Sequence, residues 1–178
     1  KMFNKGVIFD RDGTLIEHID YLGNSKKVKI VKPIKKILKK MKLNGFYFFI
    51  QTNQSGVERG FYTKNDVYNC NDRMIFLLDA QNIFDDICIS YKIDPNNCRN
   101  RKPNPDFGLH VMNKYKIRKE NLYFIGDNNV DIETAINIGC NPIHVNSGKV
   151  KKNDIIYDKV IFLNDVEKAL QYIMKLYQ

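Results

Sequence analysis

Two aspartates separated by one residue, in Asp10-Arg11-Asp12-Gly13-Thr14, follow directly on the short apolar run Val7-Ile8-Phe9. Like charges held so close repel, and water screens them only in part. A cation between them removes the difficulty, and oxygen donors with no His or Cys beside them suit Mg²⁺ rather than Zn²⁺. A turn capped by aspartates is the plainer alternative, although a turn seldom needs both acids.

Three further polar segments share this placement. Thr52-Asn53-Gln54-Ser55-Gly56 follows the apolar run Phe46 to Ile50. Its hydroxyls, amides and glycine backbone are groups that hold phosphate oxygens, and they would equally make an ordinary loop. Gly126-Asp127-Asn128-Asn129-Val130-Asp131 follows Leu122 to Ile125. Asp127 can complete a metal site begun by Asp10 and Asp12, whereas Asp131 reads as a supporting or helix-capping residue. Arg101-Lys102-Pro103 adds a lysine able to neutralise a phosphoryl group in transfer. In so lysine-rich a chain, two adjacent basic residues carry little by themselves.

The elements that must position these residues alternate between strand and helix. Val7–Phe9, Phe46–Ile50, Ile87–Tyr91, Leu122–Ile125, Ile143–Val145 and Val160–Leu163 read as strands. Pro33 is expected at the first position of a helix carrying Ile34, Ile37, Leu38 and Met41 on one stripe. Thr63, three residues before Asp66, predicts the start of a helix through Leu78. Further helices are expected from Asn104-Pro105, over Ile132–Ile138 up to Gly139, and along the amphipathic tail Val166–Leu176. Near-continuous apolar strands between helices imply a parallel sheet covered on both faces, in one domain over residues 1–178. Ligands of such sheets bind beyond the carboxyl ends of the strands, where the unusual polar segments fall.

The chain has 178 residues, 43% of them hydrophobic, which excludes a disordered class. No apolar run reaches a membrane span, and the start shows no long apolar leader region. Four cysteines without a C-x-x-C pair read as reduced thiols, which makes the cytoplasm the expected compartment. The net charge of +9 comes from scattered lysines without interleaved aromatics. This favours solvated helix faces over a nucleic-acid surface, with an attraction to small anions remaining. A monomer is expected, since no long apolar stripe is left over once the core is assigned.

The four segments arrive in a recognisable order. The chain resembles the haloacid dehalogenase-like phosphatases, whose motifs match Asp10-x-Asp12-Gly-Thr, Thr52, Lys102 and Gly126-Asp127-x-x-x-Asp131. The resemblance implies a Rossmann-like α/β fold and a phosphomonoesterase. It makes Asp10 the nucleophile, Asp12 the acid and then the base, and Thr52 and Lys102 the holders of the phosphoryl oxygens. It also places Mg²⁺ on Asp10, the backbone carbonyl of Asp12, and Asp127. The stretches from Asp12 to Thr52 and from Thr52 to Lys102 are used up by core elements, so no folded cap domain is expected.

Within that family, F-D-R-D-G-T-L, T-N-Q-S-G-V-x-R-G and R-K-P-x-P look like the histidinol-phosphate and D-glycero-D-manno-heptose 1,7-bisphosphate phosphatase branch. Removal of the 7-phosphate in nucleotide-heptose synthesis is implied, with histidinol phosphate or a nucleic-acid 3′-phosphate as other substrates. Arg11, His18, Tyr21, Asn53, Gln54, Ser55, Arg59, Arg101 and Asn128 are the implied substrate contacts. Relatives often carry a zinc loop where this chain has Ser90, Lys92, Cys98 and Asn100. One thiolate does not make a four-ligand zinc site, so no zinc is expected and packing should hold the loop. Asn128 stands where many relatives have a basic residue.

Overall fold

A computed structural model describes residues 3–178. Its first strand, β1 (Asn4–Phe9), is buried over its last five residues, as a strand covered on both faces must be. Five more strands join it: β2 (Phe46–Asn53), β3 (Asp86–Ser90), β4 (Ile117–Gly126), β5 (Asn141–Val145) and β6 (Ile161–Leu163). All pair in parallel, in the order β3-β2-β1-β4-β5-β6. The order reverses between β1 and β4, and a crevice opens at that switch point beyond the carboxyl ends.

Five helices cover the sheet: α1 (Lys35–Leu43), α2 (Lys64–Leu78), α3 (Asp106–Tyr115), α4 (Asn129–Ile138) and α5 (Val166–Lys175). Leu38 and Met41 of α1, Cys70 and Met74 of α2, and Leu170 and Ile173 of α5 share one core with Val7, Phe9, Phe48 and Ile125. Phe107 and Val111 of α3 and Ala135 and Ile138 of α4 pack on the other face against Ile8, Phe49 and Phe124. Side chains alternate along a strand, so consecutive residues such as Val7 and Ile8 feed opposite cores. Among the described residues every strand and long helix belongs to this sheet and its two layers, with no folded insert standing over the strand ends. No helix is long and apolar enough to cross a membrane.

The sequence reading needs adjustment at several element ends, among them α4, which begins at Asn129 rather than Ile132. Helix α1 begins at Lys35 rather than Pro33, with Ile34 in the capping position because its side chain is drawn into the core. Strand β2 runs on to Asn53, so Thr52 and Asn53 are strand residues and not the start of a loop. Strand β4 begins five residues early, at Ile117, and its pairing with β1 shifts register between Asn4 and Gly6. At α2 the reciprocal capping box of Thr63 and Asp66 is present as expected. Lys36, Lys39 and Lys40 of α1 lie on its solvent side.

Candidate active site

Asp10 is the first residue beyond β1, and its backbone N–H donates to Ile125 O of β4 at 2.9 Å. That bond ties together the two strand ends at the switch point. The chain then turns sharply, with the Arg11 carbonyl accepting from the N–H groups of Thr14, Leu15 and Ile16. At the end of β4, Asp127 leads into α4, whose capping box is built by Asn128 and Asp131. Asp10, Asp127 and Asp131 are all buried, and each offers an oxygen within 4.8 Å of the others.

Lys102 enters from the loop before α3 and is fully buried. Its Nζ donates to Asp10 Oδ1 at 2.7 Å and to Asp131 Oδ1 at 2.6 Å. Burial alone would depress the ammonium, but Asp10 and Asp131 outweigh it and hold Lys102 above its ordinary value. The Asp127 carboxyl is pushed well above the usual carboxylate range, first by burial and then by Asp10 and Asp131. Burial and Asp10 also raise Asp131, against the pull of Lys102. Three carboxylates facing one ammonium leave the cluster short of positive charge. Its donors are all hard oxygens, a set that fits a small divalent cation such as Mg²⁺.

The backbone is shaped around Asp127. A Cβ on Gly148 would lie 2.0 Å from Asp127 Oδ2, and one on Gly13, already at φ +83°, would lie 2.4 Å from it. Lys149 N donates to the same oxygen at 2.8 Å. Gly148→Ala is therefore expected to displace the carboxylate while the sheet stays intact. Isothermal titration should show divalent-cation affinity reduced by about 10- to 100-fold, with the far-ultraviolet dichroism unchanged.

Asp10, Asp12, His18, Asn53, Lys102, Asp127 and Asn128 line one cleft of about 140 Å³, together with Val130 and Asp131. A larger cavity, about 730 Å³, lies along the β3 edge between α2 and α3, away from this cluster. The acidic group outweighs size in locating the chemistry, because among the described residues it is there that three buried acids lie close enough to share a cation. Asn53 faces the cleft and also clamps the Lys102 main chain, accepting from Lys102 N at 3.0 Å and donating to Lys102 O at 3.2 Å. Thr52 is buried beside it, with its Oγ1 accepting from Gln54 Nε2 at 2.8 Å.

Of the remaining expected contacts, His18 lines the cleft, whereas Tyr21, Ser55, Arg59 and Arg101 lie outside it. Arg59 is exposed, bonded to Ser55 Oγ at 3.4 Å and placed over the Tyr21 ring at 5.9 Å. Tyr21 is also exposed, with its ring 4.8 Å from that of Phe61. Arg101 donates to Lys92 O at 2.9 Å, and burial followed by the nearby Arg59 charge lowers its pKa. His18 Nε2 sits 2.9 Å from Asp20 Oδ1.

Arg11 does not fit the expected role of substrate contact. Its side chain has no exposure, because the residue after Asp10 points to the opposite side of the chain, towards α2. There it grips both oxygens of Asp12, at 3.0 and 3.2 Å, and donates to Asn71 Oδ1 at 2.9 Å. The Asp12 carboxylate lines the same cleft but is not part of the three-aspartate group, whose third member is Asp131. The sequence reading of Asp131 as a supporting or helix-capping residue leaves out this place in the cluster, for which its spacing of four from Asp127 is the available signal. Gln54, at 3% exposure, reaches Asp12 Oδ2 at 3.0 Å and is likewise withdrawn from direct contact with a substrate.

The loop from Ser90 to Asn100 is held by hydrogen bonds rather than by the packing expected for it. Asn104 Nδ2 donates to Pro95 O and Cys98 O at 2.8 and 2.9 Å, Gln51 Nε2 donates to Asn100 O, and Ser90 Oγ meets Cys98 Sγ at 3.4 Å. In the amide bonds among these the loop offers main-chain carbonyls and the donating side chains, Asn104 and Gln51, come from outside it.

Strand order and constellation define a class: doubly wound α/β proteins that gather acids and one lysine at the carboxyl end of the central strands. Residues 99–169 match the HAD-hydrolase-like family. The D-glycero-beta-D-manno-heptose-1,7-bisphosphate 7-phosphatase of Helicobacter pylori (strain ATCC 700392 / 26695) is 30% identical over 136 residues, 75% of this chain and 79% of that protein. The chain belongs to the haloacid dehalogenase-like hydrolases. The histidine biosynthesis bifunctional protein HisB of Legionella pneumophila is 30% identical over 169 residues, 93% of this chain. The chain spans about half of that relative's length, 47%. Among solved structures, the D,D-heptose 1,7-bisphosphate phosphatase of B. bronchiseptica, complexed with magnesium and phosphate, superimposes with a TM-score of 0.84 at 20% identity. That match covers 97% of this chain and 99% of that one, and the likeness is one of fold.

Proposed function

We propose that this chain is a Mg²⁺-dependent phosphomonoesterase that transfers the phosphoryl group to Asp10 and then to water. The observation that carries the reading is the buried Lys102 ammonium, 2.7 Å from Asp10 Oδ1 and beside Asp127 and Asp131. In this reading Asp10, Asp127 and the main chain at Asp12 hold the ion, with Asp131 supporting them. When bound, Mg²⁺ offsets charge on the phosphoryl oxygens and on the cluster.

The rest is the work of the chain's own side chains. Asp10 attacks phosphorus, the bond from phosphorus to the ester oxygen breaks, and Asp12 gives that oxygen its proton. Asp12, now a carboxylate, takes a proton from the water that attacks the phosphoaspartate, which releases phosphate and restores Asp10. Lys102, with Thr52 and Asn53 at the strand end, orients the phosphoryl oxygens and neutralises part of their charge. His18, Tyr21, Ser55, Arg59, Arg101 and Asn128 surround the leaving group.

The proposed substrate is D-glycero-D-manno-heptose 1,7-bisphosphate, with loss of the 7-phosphate in nucleotide-heptose synthesis for surface polysaccharide. The names of the H. pylori relative and the B. bronchiseptica structure support it, as does a pair of arginines outside the cleft, Arg59 and Arg101, suited to a second phosphate. Histidinol phosphate is the second reading, favoured by the HisB relative. A nucleic-acid 3′-phosphate fits less well with lysines that lie on solvated helix faces. We further propose one domain, acting as a monomer in the cytoplasm and without zinc.

A panel of phosphomonoesters assayed with Mg²⁺ tests the reading. Heptose 1,7-bisphosphate should show the highest kcat/KM, and excess chelator should abolish turnover. Saturating Mg²⁺, at about 100 times its Kd, should stabilise the fold by about 2.7 kcal/mol in thermal melts. Faster turnover of histidinol phosphate would replace the substrate assignment, and full activity in chelator would remove the metal.

A further inference from the structure

We propose that Tyr62, acting through Gln54, is a positioning residue that fixes the direction in which Asp12 presents its carboxyl group to the leaving oxygen. The inference rests on the phosphomonoesterase reading above. Asp12 is held from behind by three donors. The Arg11 fork takes both of its oxygens, and Gln54 Nε2 takes Oδ2 at 3.0 Å. Arg11 is anchored in turn by Asn71, and both side chains are buried.

Gln54 is the adjustable member of this group, because an amide has one donating end and one accepting end. The Tyr62 hydroxyl donates to Gln54 Oε1 at 2.7 Å, which leaves the NH₂ end for Asp12 and for Thr52 Oγ1. With the amide reversed, Oε1 would face the Asp12 carboxylate, one acceptor against another. Asp12 thus selects the donating end of Gln54, and the tyrosine, bonded to the other end, fixes where that amide stands.

Tyr62 is built into its place. Its side chain fills the space that a Cβ would need at two glycines from different loops, with ring atom Cε1 2.2 Å from one on Gly56 and its own Cβ 2.7 Å from one on Gly23. Burial raises the phenol above its ordinary value, so it remains a donor at neutral pH. It does not line the catalytic cleft. It lines a neighbouring cavity of about 320 Å³ with Tyr21 and Phe61, and reaches the chemistry only through Gln54. A side chain so placed has no contact with substrate phosphate and no contact with the acidic cluster. What it can change is the aim of Asp12, and proton transfer is sensitive to aim.

The dependence on leaving group separates this role from simple support of the fold. An alkoxide must receive the Asp12 proton as its bond to phosphorus breaks, whereas p-nitrophenolate leaves without one. In Tyr62→Phe, assayed with Mg²⁺, kcat/KM for the preferred alkyl phosphate should fall about tenfold, while that for p-nitrophenyl phosphate changes by less than about twofold. Gln54→Leu should show the same selective loss, and the double variant should be no worse than Gln54→Leu alone. Equal losses on both esters, or additive losses in the double variant, would overturn the proposal. Should Gln54→Leu fail to fold, Tyr62→Phe removes a single oxygen and still decides through its ratio of esters. If the wild-type protein hydrolyses neither ester with Mg²⁺, the phosphomonoesterase reading itself falls, an outcome distinct from an active enzyme with no ester selectivity in Tyr62→Phe.

Discussion

Asp10→Asn is expected to abolish phosphatase turnover, by about 10⁴-fold or more, and to leave the protein at least as stable as before. The two halves of this result have different causes. An amide oxygen has neither the charge nor the basicity to displace an alkoxide from phosphorus, so the covalent step is lost. The substitution is nearly isosteric, however, and Asn Oδ1 can still accept from Lys102 Nζ, which now stands 2.7 Å from Asp10 Oδ1. It also removes one of three carboxylates crowded within 4.8 Å of one another. Relief of that repulsion should keep the melting temperature unchanged or raise it in chelator. Steady-state assays, thermal melts and acid-quench trapping of labelled phosphoenzyme check the three statements. Retained turnover in Asp10→Asn would remove Asp10 as the nucleophile, and a large fall in melting temperature would mean that its charge is structural.

Lys102→Met is expected to fail on both counts. Lys102 is enclosed in the cluster, with Asp131 Oδ1 at 2.6 Å as its second partner. Removing one member of a buried ionic group leaves the others without compensation and costs about 3–5 kcal/mol. In a chain of this size that lowers the melting temperature by roughly 6–20 °C. Asp131 makes matters worse, since it also caps the start of α4 through Asn128 N at 3.1 Å. Activity should fall by about 10³-fold, the scale of one lost electrostatic stabiliser. Melts in chelator and in Mg²⁺ are the measurement, and the deficit should be smaller in Mg²⁺, which supplies part of the missing positive charge. A variant with near-normal stability in both would show that the three carboxylates carry less charge than their geometry demands.

The legible part of this site was the part written along a strand. A continuous apolar run that stops at an acid announces a strand end, which is how Asp10 and Asp127 stood out. The Thr63–Asp66 cap was legible for a similar reason, since its partners are three residues apart. What escaped the sequence depends on direction or on distance along the chain. Arg11 sits between two acids yet points the other way, into contact with Asn71 sixty positions later. Asp131 meets Lys102 across 29 positions, so that ion pair has no local pattern. Tyr62 reads as a loop aromatic, and only the close approach of Gly23 and Gly56 reveals that it is wedged in place. The polar end of β2 reads as a loop because Gln51, Thr52 and Asn53 end its apolar run, although their main chains pair with Cys88, Ile89 and Ser90 of β3.

The strand order has a consequence for the chain as it is made. Asp10 is made early in the sheet, but the lysine that pairs with it comes 92 positions later, and Asp127 follows only at the end of β4. Strand β1 lies between β2 and β4, so a nascent chain that has made only the first three strands has one side of β1 still uncovered and Asp10 at its tip without Lys102, Asp127 or Asp131. Such an intermediate has neither the positive charge to draw in a phosphate ester nor the acidic cluster to draw in a cation. Competence thus arrives in one step with the closing of the sheet's centre, and an incomplete chain is chemically silent.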